Sequence, residues 1–341
     1  MTMDRDDRVE LVHGDGGRAS AELIEGVFLP LLGNEYLDCR DDGAFLGAPR
    51  GEGPLVFTTD SFVVSPLEFP GGDIGELAVY GTVNDLAVCG GEPLWLSAGF
   101  ILEEGLSLQV LRRVVRSMAR ALDEVGVKLA ACDTKVVERG HGDGIYINTS
   151  GIGRVLPGVD LALERVTPSD VVLVSGHVGD HGLAVLAARE GMAFSTPVES
   201  DCASLWSMIR KLLGALGDRV RFMRDPTRGG LATVLKEMAL GARCDVILAE
   251  EEIPVRREVA AAARMLGLDP VYLANEGNLV LVVQDDAAGE ALEILRGEPQ
   301  GREAAVIGRV RPGRGLVHLV TPLGGTRRLG LLVGEPLPRI C

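Results

Sequence analysis

The chain is poor in aromatic residues, which fill 4% of its 341 positions. Apolar residues nevertheless make up 46% of it, so its cores are built from Val, Leu, Ile and Ala. Basic residues are also in short supply, with 34 Lys and Arg against 49 Asp and Glu and a formal charge of −15. A nucleic-acid backbone calls for a basic face, so that class of partner is excluded. No apolar run reaches the roughly 18 residues of a membrane span, so nothing is expected to span a membrane and no membrane partner is expected. The opening MTMDRDDRVE has no apolar stretch of a signal peptide. The six cysteines, at 39, 89, 132, 202, 244 and 341, form no C-x-x-C pair. A zinc site and a thioredoxin-type pair are therefore not expected, and the thiols read as reduced ones of a cytoplasmic protein. Three nucleotide and hydrolase signatures are missing too: the P-loop, G-x-G-x-x-G after a strand, and the G-x-S-x-G elbow. A nucleotide, if used, is held in another way.

What is present suits two domains of mixed structure. Residues 55–64, 94–102, 127–137 and 145–155 read as strands, and 74–89 and 107–125 as helices, with Ser107 as N-cap of the second. The turn-rich LPGVDLALERVTPSD then divides the chain. Beyond it, 171–175 and 278–284 read as strands and 228–241 as a helix. The expected class is α+β, with sheets covered by helices on one face. The domains expected are 1–156 and 157–330, followed by a tail at 331–341. That tail ends in EPLPRIC, where Pro336 and Pro338 favour an extended backbone and Cys341 is the last residue.

Carboxylates stand at the ends of apolar strands: Asp41 and Asp42 in DDGA, Asp60 in TTDS, Asp133 in CDTK. Asp85 lies within a largely apolar helix, where a lone acid is costly unless it has a partner. Converging on one cleft, such hard oxygens suit Mg²⁺ carrying a nucleotide; taken singly, each also serves as a turn residue or a helix cap. Arg228 in DPTRGG suits a phosphate or a surface cap. The glycine-rich 13–18 is either an anion cradle or a plain turn. Lys135, two residues after Asp133, is either paired with an acid or placed on a phosphate. Glu276 in LANEGNL precedes a strongly apolar strand, as a turn residue or as a site residue. His181 in GDHG reads as structural. A thiol at the end of a stiffened tail, as at Cys341, can reach a distant pocket as a nucleophile or carrier.

In order along the chain, TTDSFVVSPLEFPGGDIGELAVYGTVNDLAVCG, GFILEEGL, CDTKVVERG, INTSGIG, SGHVGDHG, RDPTRGG, ANEGNLV and the terminal PRIC resemble the hydrogenase maturation factor family HypE. That family is similar in fold to aminoimidazole ribonucleotide synthetase. The resemblance implies an N-terminal sheet domain that pairs with a second copy into a shared barrel, a C-terminal α/β sandwich-like domain and a flexible tail. It implies ATP and Mg²⁺ as cofactors. Asp42, Asp60, Asp85, Asp133 and Asp225 would serve metal and nucleotide, with Asn84 and Arg228 completing the nucleotide set. Lys135 would stabilise a phosphorylated oxygen, Glu276 would be the base and Cys341 the carrier. The implied reaction is ATP-dependent dehydration of an S-carbamoyl group on Cys341 to a thiocyanate. The implied partners are a second copy of the chain, the carbamoyltransferase HypF, and a HypC–HypD complex that receives cyanide for [NiFe]-hydrogenase. A non-catalytic scaffold that binds ATP is the competing class.

Overall fold

A computed structural model of the chain describes residues 8–14, 18–37, 53–192, 198–332 and 339–341. Short helices Arg18–Leu23 (α1) and Leu29–Leu32 (α2) flank a π-helical turn at Ile24–Phe28. The first sheet consists of Leu55–Phe62 (β1), Gly91–Glu103 (β4), Lys128–Val137 (β5) and Ile145–Val155 (β6), in the order β1-β6-β4-β5. A two-stranded ribbon, Glu68–Phe69 (β2) with Gly72–Asp73 (β3), leads into helix Ile74–Val88 (α3). Helix Leu108–Val125 (α4) makes the crossover between the parallel β4 and β5.

Local chemistry accounts for these elements. Asp73 caps α3 by accepting from the amides of Gly75 and Glu76, satisfying donors that a helix start leaves free. Ser107 caps α4 in the same way, and Gly126 ends it with a left-handed φ of 70°. In α4 the apolar residues recur at helical spacing, Leu108, Leu111, Val115, Met118 and Leu122, and all are buried. Helix α3 is different: of its residues, only Glu76 and Asp85 are not fully buried. A helix enclosed on all sides needs no polar face, so an acid at Asp85 requires its own explanation.

The first sheet is covered on one face. Along β1, alternate residues turn toward α3, where a Cβ at Gly81 would lie 2.8 Å from the Phe62 ring and 3.9 Å from Asp60 Oδ2. The opposite face carries Phe57, 66% exposed, and Ile101, 43% exposed. Among the described residues the sheet is open, not closed into a barrel.

The second half holds Val171–Val174 (β7), Asp180–Arg189 (α5), Trp206–Leu216 (α6), Val220–Arg224 (β8), Gly230–Gly241 (α7), Cys244–Ala249 (β9), Arg257–Leu266 (α8), Val280–Val283 (β10), Ala288–Arg296 (α9), Ala305–Pro312 (β11), Val317–Val320 (β12) and Thr326–Leu329 (β13). They form a seven-stranded sheet in the order β13-β12-β9-β11-β7-β10-β8. Here the expectation of helices on one face is corrected. In β7 and β10 every residue is buried. Leu173 and Leu281 face the core of α6 and α9, while Val172 and Val282 face that of α7. Continuous apolar strands such as VVLV and VLVV mark a sheet covered on both faces, and the covering helices follow from that.

The two halves meet along α3. The Asn84 amide donates to Ala203 O (3.0 Å) and Glu276 O (3.3 Å), while its Oδ1 accepts from Leu205 N (2.8 Å). No helix among the described residues is long and apolar enough to cross a membrane.

A candidate active site at the seam

Four acids converge where the halves meet. Asp60 reaches in from β1 and Asp85 from α3. Asp225 follows β8, and Glu276 lies in the loop before β10. Asp85 Oδ2 accepts from the Thr58 hydroxyl at 2.8 Å, and Asp60 Oδ1 accepts from Ser61 N at 2.8 Å. Asp225 is 7% exposed and Glu276 is 3% exposed. Burial pushes the Asp225 carboxyl up to about 7, and the charges of Asp85 and Asp60 add to that rise. Burial likewise drives Glu276 well above the ordinary carboxylate range, with Asp225, Asp201, Asp60 and Asp85 contributing. Glu276 Oε1 is buried with no hydrogen-bond partner among the described residues. Such an atom, among other acids, is costly unless a cation or a proton meets it.

Beside the cluster opens a cleft of about 420 Å³, lined among others by Thr58, Asp85, Arg224, Asp225, Thr227 and Arg228. The turn carrying Arg228 is fixed by Gly229 and Gly230 at positive φ, 78° and 59°. A Cβ on Gly230 would lie 2.5 Å from Leu273 O. Among the described residues no three His, Cys, Asp or Glu side chains stand close enough to hold a metal by themselves. The donors are hard oxygens, which suit Mg²⁺, an ion that keeps water and phosphate in its shell.

Sequence reasoning missed Asp201. Its carboxylate accepts from Glu276 N (3.0 Å) and from Asn275 Nδ2 (2.8 Å). The chain turns so tightly there that a Cβ on Gly277 would lie 1.7 Å from Asp201 O. Asp201 thus fixes the backbone of Glu276 from behind. The side-chain amide of Asn84, expected on the nucleotide, bonds backbone groups of the seam in this structure.

Asp133 and Lys135 are not part of this cluster. Asp133 sits level with Gly99 on β4, which is level with Asn148 on β6, itself opposite Ser61. That row lies on the outer face of the sheet, one residue out of phase with Asp60. Lys135 Nζ is bound there to both oxygens of Asp133 at 2.8 Å, with the two side chains 64% and 72% exposed. Asp41, Asp42 and residues 15–17 of the glycine-rich 13–18 lie outside the described residues.

Cys341 does reach the cluster. Its main-chain carboxylate oxygen accepts from Val63 N (3.0 Å), and Arg339 O accepts from Ser65 N (3.3 Å). The end of the chain thus pairs, antiparallel, with the residues that follow β1. Burial pushes the Cys341 thiol up to about 12, the charges of Glu276 and Asp60 raise it further and Arg228 opposes them. The tail is clamped by His181, Arg189 and Arg339, so His181 touches the tail in addition to filling the core.

A two-domain fold of this kind, with an acidic seam between the sheets, defines the class. Residues 40–155 match the N-terminal domain, and 167–320 the C-terminal domain, of the AIR synthase related protein family. Within that class the chain belongs to the HypE family of hydrogenase maturation proteins. It is 49% identical over 338 residues to the carbamoyl dehydratase HypE of Azotobacter vinelandii, covering 99% of this chain and 98% of that protein. It superposes on a crystal structure of HypE in complex with ATP with a TM-score of 0.93 and 46% identity, over 97% of this chain and 99% of the other. For HypE in a HypE–HypF complex the TM-score is 0.80, with 46% identity over 91% and 99%.

Proposed function

We propose that the protein is an ATP-dependent dehydratase acting on a carbamoyl group carried on its own Cys341. The observation that carries this reading is the docked Cys341, whose thiol lies within the fields of Glu276, Asp60 and Arg228, with a buried oxygen of Glu276 left without a partner among the described residues. The HypE names of the relatives and the ATP complex of a structural neighbour support it.

The amide oxygen of a thiocarboxamide is a poor leaving group. Its attack on the γ-phosphorus of ATP breaks the bond to ADP, and loss of a first N–H proton to solvent leaves a phosphorylated imidate that keeps one N–H. Glu276, in its ionised form, takes the N–H proton as the C–O bond to phosphate breaks, leaving a thiocyanate. The balance is thiocarboxamide plus ATP to thiocyanate, ADP, hydrogen phosphate and one proton. Asp60, Asp85 and Asp225 would hold Mg²⁺, with Asp42 and Asp133 assigned to the set by resemblance. When bound, that ion supplies positive charge against the phosphates and the crowded carboxylates. Arg228 faces phosphate. The tether raises the effective concentration of the amide at the site.

Lys135 and Asp133 enter this scheme from a second copy. The exposed outer face, with Phe57 and Ile101, is the surface we assign to a homodimer whose two sheets close a shared barrel. Lys135 then stabilises the developing oxygen charge across the interface. A docked thiol cannot be loaded or unloaded, so the tail leaves the seam to meet its partners. HypF, seen with HypE in the related complex, supplies the carbamoyl group, and a HypC–HypD iron scaffold receives the cyanide.

Intact-mass spectrometry with HypF, carbamoyl phosphate and Mg-ATP tests the reading: the Cys341 peptide should gain about 43 Da, falling to about 25 Da on loss of water. Glu276→Gln should stop at the first mass. Rapid conversion in that variant removes Glu276 as the base, and no adduct on Cys341 in the wild type overturns the function.

A further inference from the structure

The tail is held by more than its strand-like pairing. Arg189 donates from Nη2 to Arg339 O at 2.5 Å and from Nε to Ser65 O at 2.8 Å. Arg339 in turn donates to Val63 O (3.1 Å) and pairs with Asp143 (2.7 Å). These contacts grip Arg339, two residues from the reactive position. The carbonyl of Ile340, adjacent to Cys341, is met by the His181 ring, with Nε2 at 2.9 Å.

His181 is completely buried on α5, and the edge-to-face contact with Phe69, centroids 5.4 Å apart, fixes its ring plane. A carbonyl oxygen only accepts, so Nε2 carries the hydrogen. Burial keeps the ring neutral by lowering its pKa to about 4, so Nδ1 is an acceptor. It takes the hydroxyl proton of Ser200 at 2.8 Å. The same Ser200 oxygen accepts from Cys202 N at 3.0 Å, and Ser200 N is tied to Pro70 O at 2.8 Å. Every hydrogen in this chain has one direction.

The next residue along is Asp201, which holds Glu276 N. Residues 200–202 therefore carry two tasks side by side. Through Ser200 and His181 they fix the peptide next to the thiol, and through Asp201 they fix the loop of Glu276.

We infer that His181 is a positioning residue for the reaction: it latches the docked tail by its Nε2–H on Ile340 O, and the segment 200–202 registers that latch against Glu276. The inference rests on the proposed role of Cys341 as carrier, but the latch itself is measurable without any carbamoyl chemistry.

The nucleotide-free, full-length protein is pulsed with iodoacetamide, and the Cys341 peptide is quantified against the exposed Cys89 as reference. Loss of a buried donor opposite a carbonyl shifts the docked-to-free ratio about tenfold. His181→Ala should therefore label Cys341 about tenfold faster than wild type with Cys89 unchanged. His181→Gln, which keeps an N–H in reach of the carbonyl, should stay near wild type. Ser200→Ala, which frees Nδ1 without opening the core, should give a rise of a few-fold. On protein preloaded with the thiocarboxamide, His181→Ala should slow conversion in a single turnover without changing ATP affinity. Unchanged Cys341 labelling in both His181→Ala and Ser200→Ala overturns the latch, as does a Gln variant that behaves like Ala. A wild type that never accepts a carbamoyl group sinks the functional reading alone, because the labelling comparison still decides the latch.

Discussion

The crowded carboxylates make a quantitative claim about the nucleotide-free protein: it is less stable than it would be with one of them neutralised. Asp225 is the residue to change. Its pKa of about 7 stands some three units above the ordinary 3.8, with burial as the main cause and Asp85 next. A carboxyl raised in the folded state binds more protons folded than unfolded between those two values. Stability attributable to it is therefore lost as pH rises from about 4 to about 7, and the loss is complete above that. At about 1.4 kcal/mol per unit, the ceiling is roughly 4 kcal/mol. Asp225→Asn keeps the shape and removes the charge. For a chain of this length the entropy of unfolding is about 0.7 kcal/mol/K, so the ceiling corresponds to about 6 °C in Tm. Asp85 and Asp60 share the relief, so a gain of about 3–6 °C at pH 8 is expected. The gain should fall to less than half at pH 5 and vanish toward pH 4. Differential scanning fluorimetry across that range, without nucleotide, is the assay. Mg-ATP should stabilise the wild type more than the variant. A gain of the same size at pH 5 and pH 8 would show a packing effect, and no gain at pH 8 would refute the electrostatic account.

Two further outcomes follow from the geometry. Asn84→Ala leaves three backbone groups of the seam, two of them buried, without their partner and should cost about 2–4 kcal/mol, read by urea unfolding; an ATP affinity that collapses while stability holds would assign Asn84 to the nucleotide. Lys135→Ala and Glu276→Gln should each be inactive alone. If Lys135 acts across a dimer, random mixing creates one intact site in half of the dimers and restores about one quarter of wild-type activity. No recovery after verified subunit exchange would place Lys135 in its own chain's site or outside the reaction.

The sequence was most informative where one residue settles a local question. Ser107 before LQVLRRVV marks the start of α4, and the apolar run of α3 singles out Asp85 as an acid in need of company. Asp60, Asp225 and Glu276 stand at the ends of strands or in the loops that adjoin them, where topology brings distant segments together. Two features were not legible. The phase of β5 decides which face Asp133 and Lys135 occupy, and a shift of one residue reverses it. The bulge in the β4–β5 register between Leu96 and Ser97 sets that phase, and no turn residue announces it. Asp201 was missed for a different reason. It lies in an irregular stretch, ESDCAS, with no periodicity of its own, and acquires its meaning only when residue 276 folds back onto it.

The same physics explains why the site lies at the seam. A cluster of four acids would repel itself open on a surface loop, where nothing opposes the motion. Here each is fixed by a different element, β1, α3, the end of β8 and the loop before β10, and the two sheets hold those elements in place. The resulting repulsion is a standing cost to the empty protein, and a cation with phosphate relieves it. Cys341 enters the same field without bringing positive charge, and burial first, with the charges of Glu276 and Asp60 behind it, keeps its thiol protonated when docked. A neutral thiocarboxamide or thiocyanate on that sulfur suffers no such penalty. The seam therefore favours the loaded tail over a bare thiolate, and tail occupancy should follow the chemical state of Cys341.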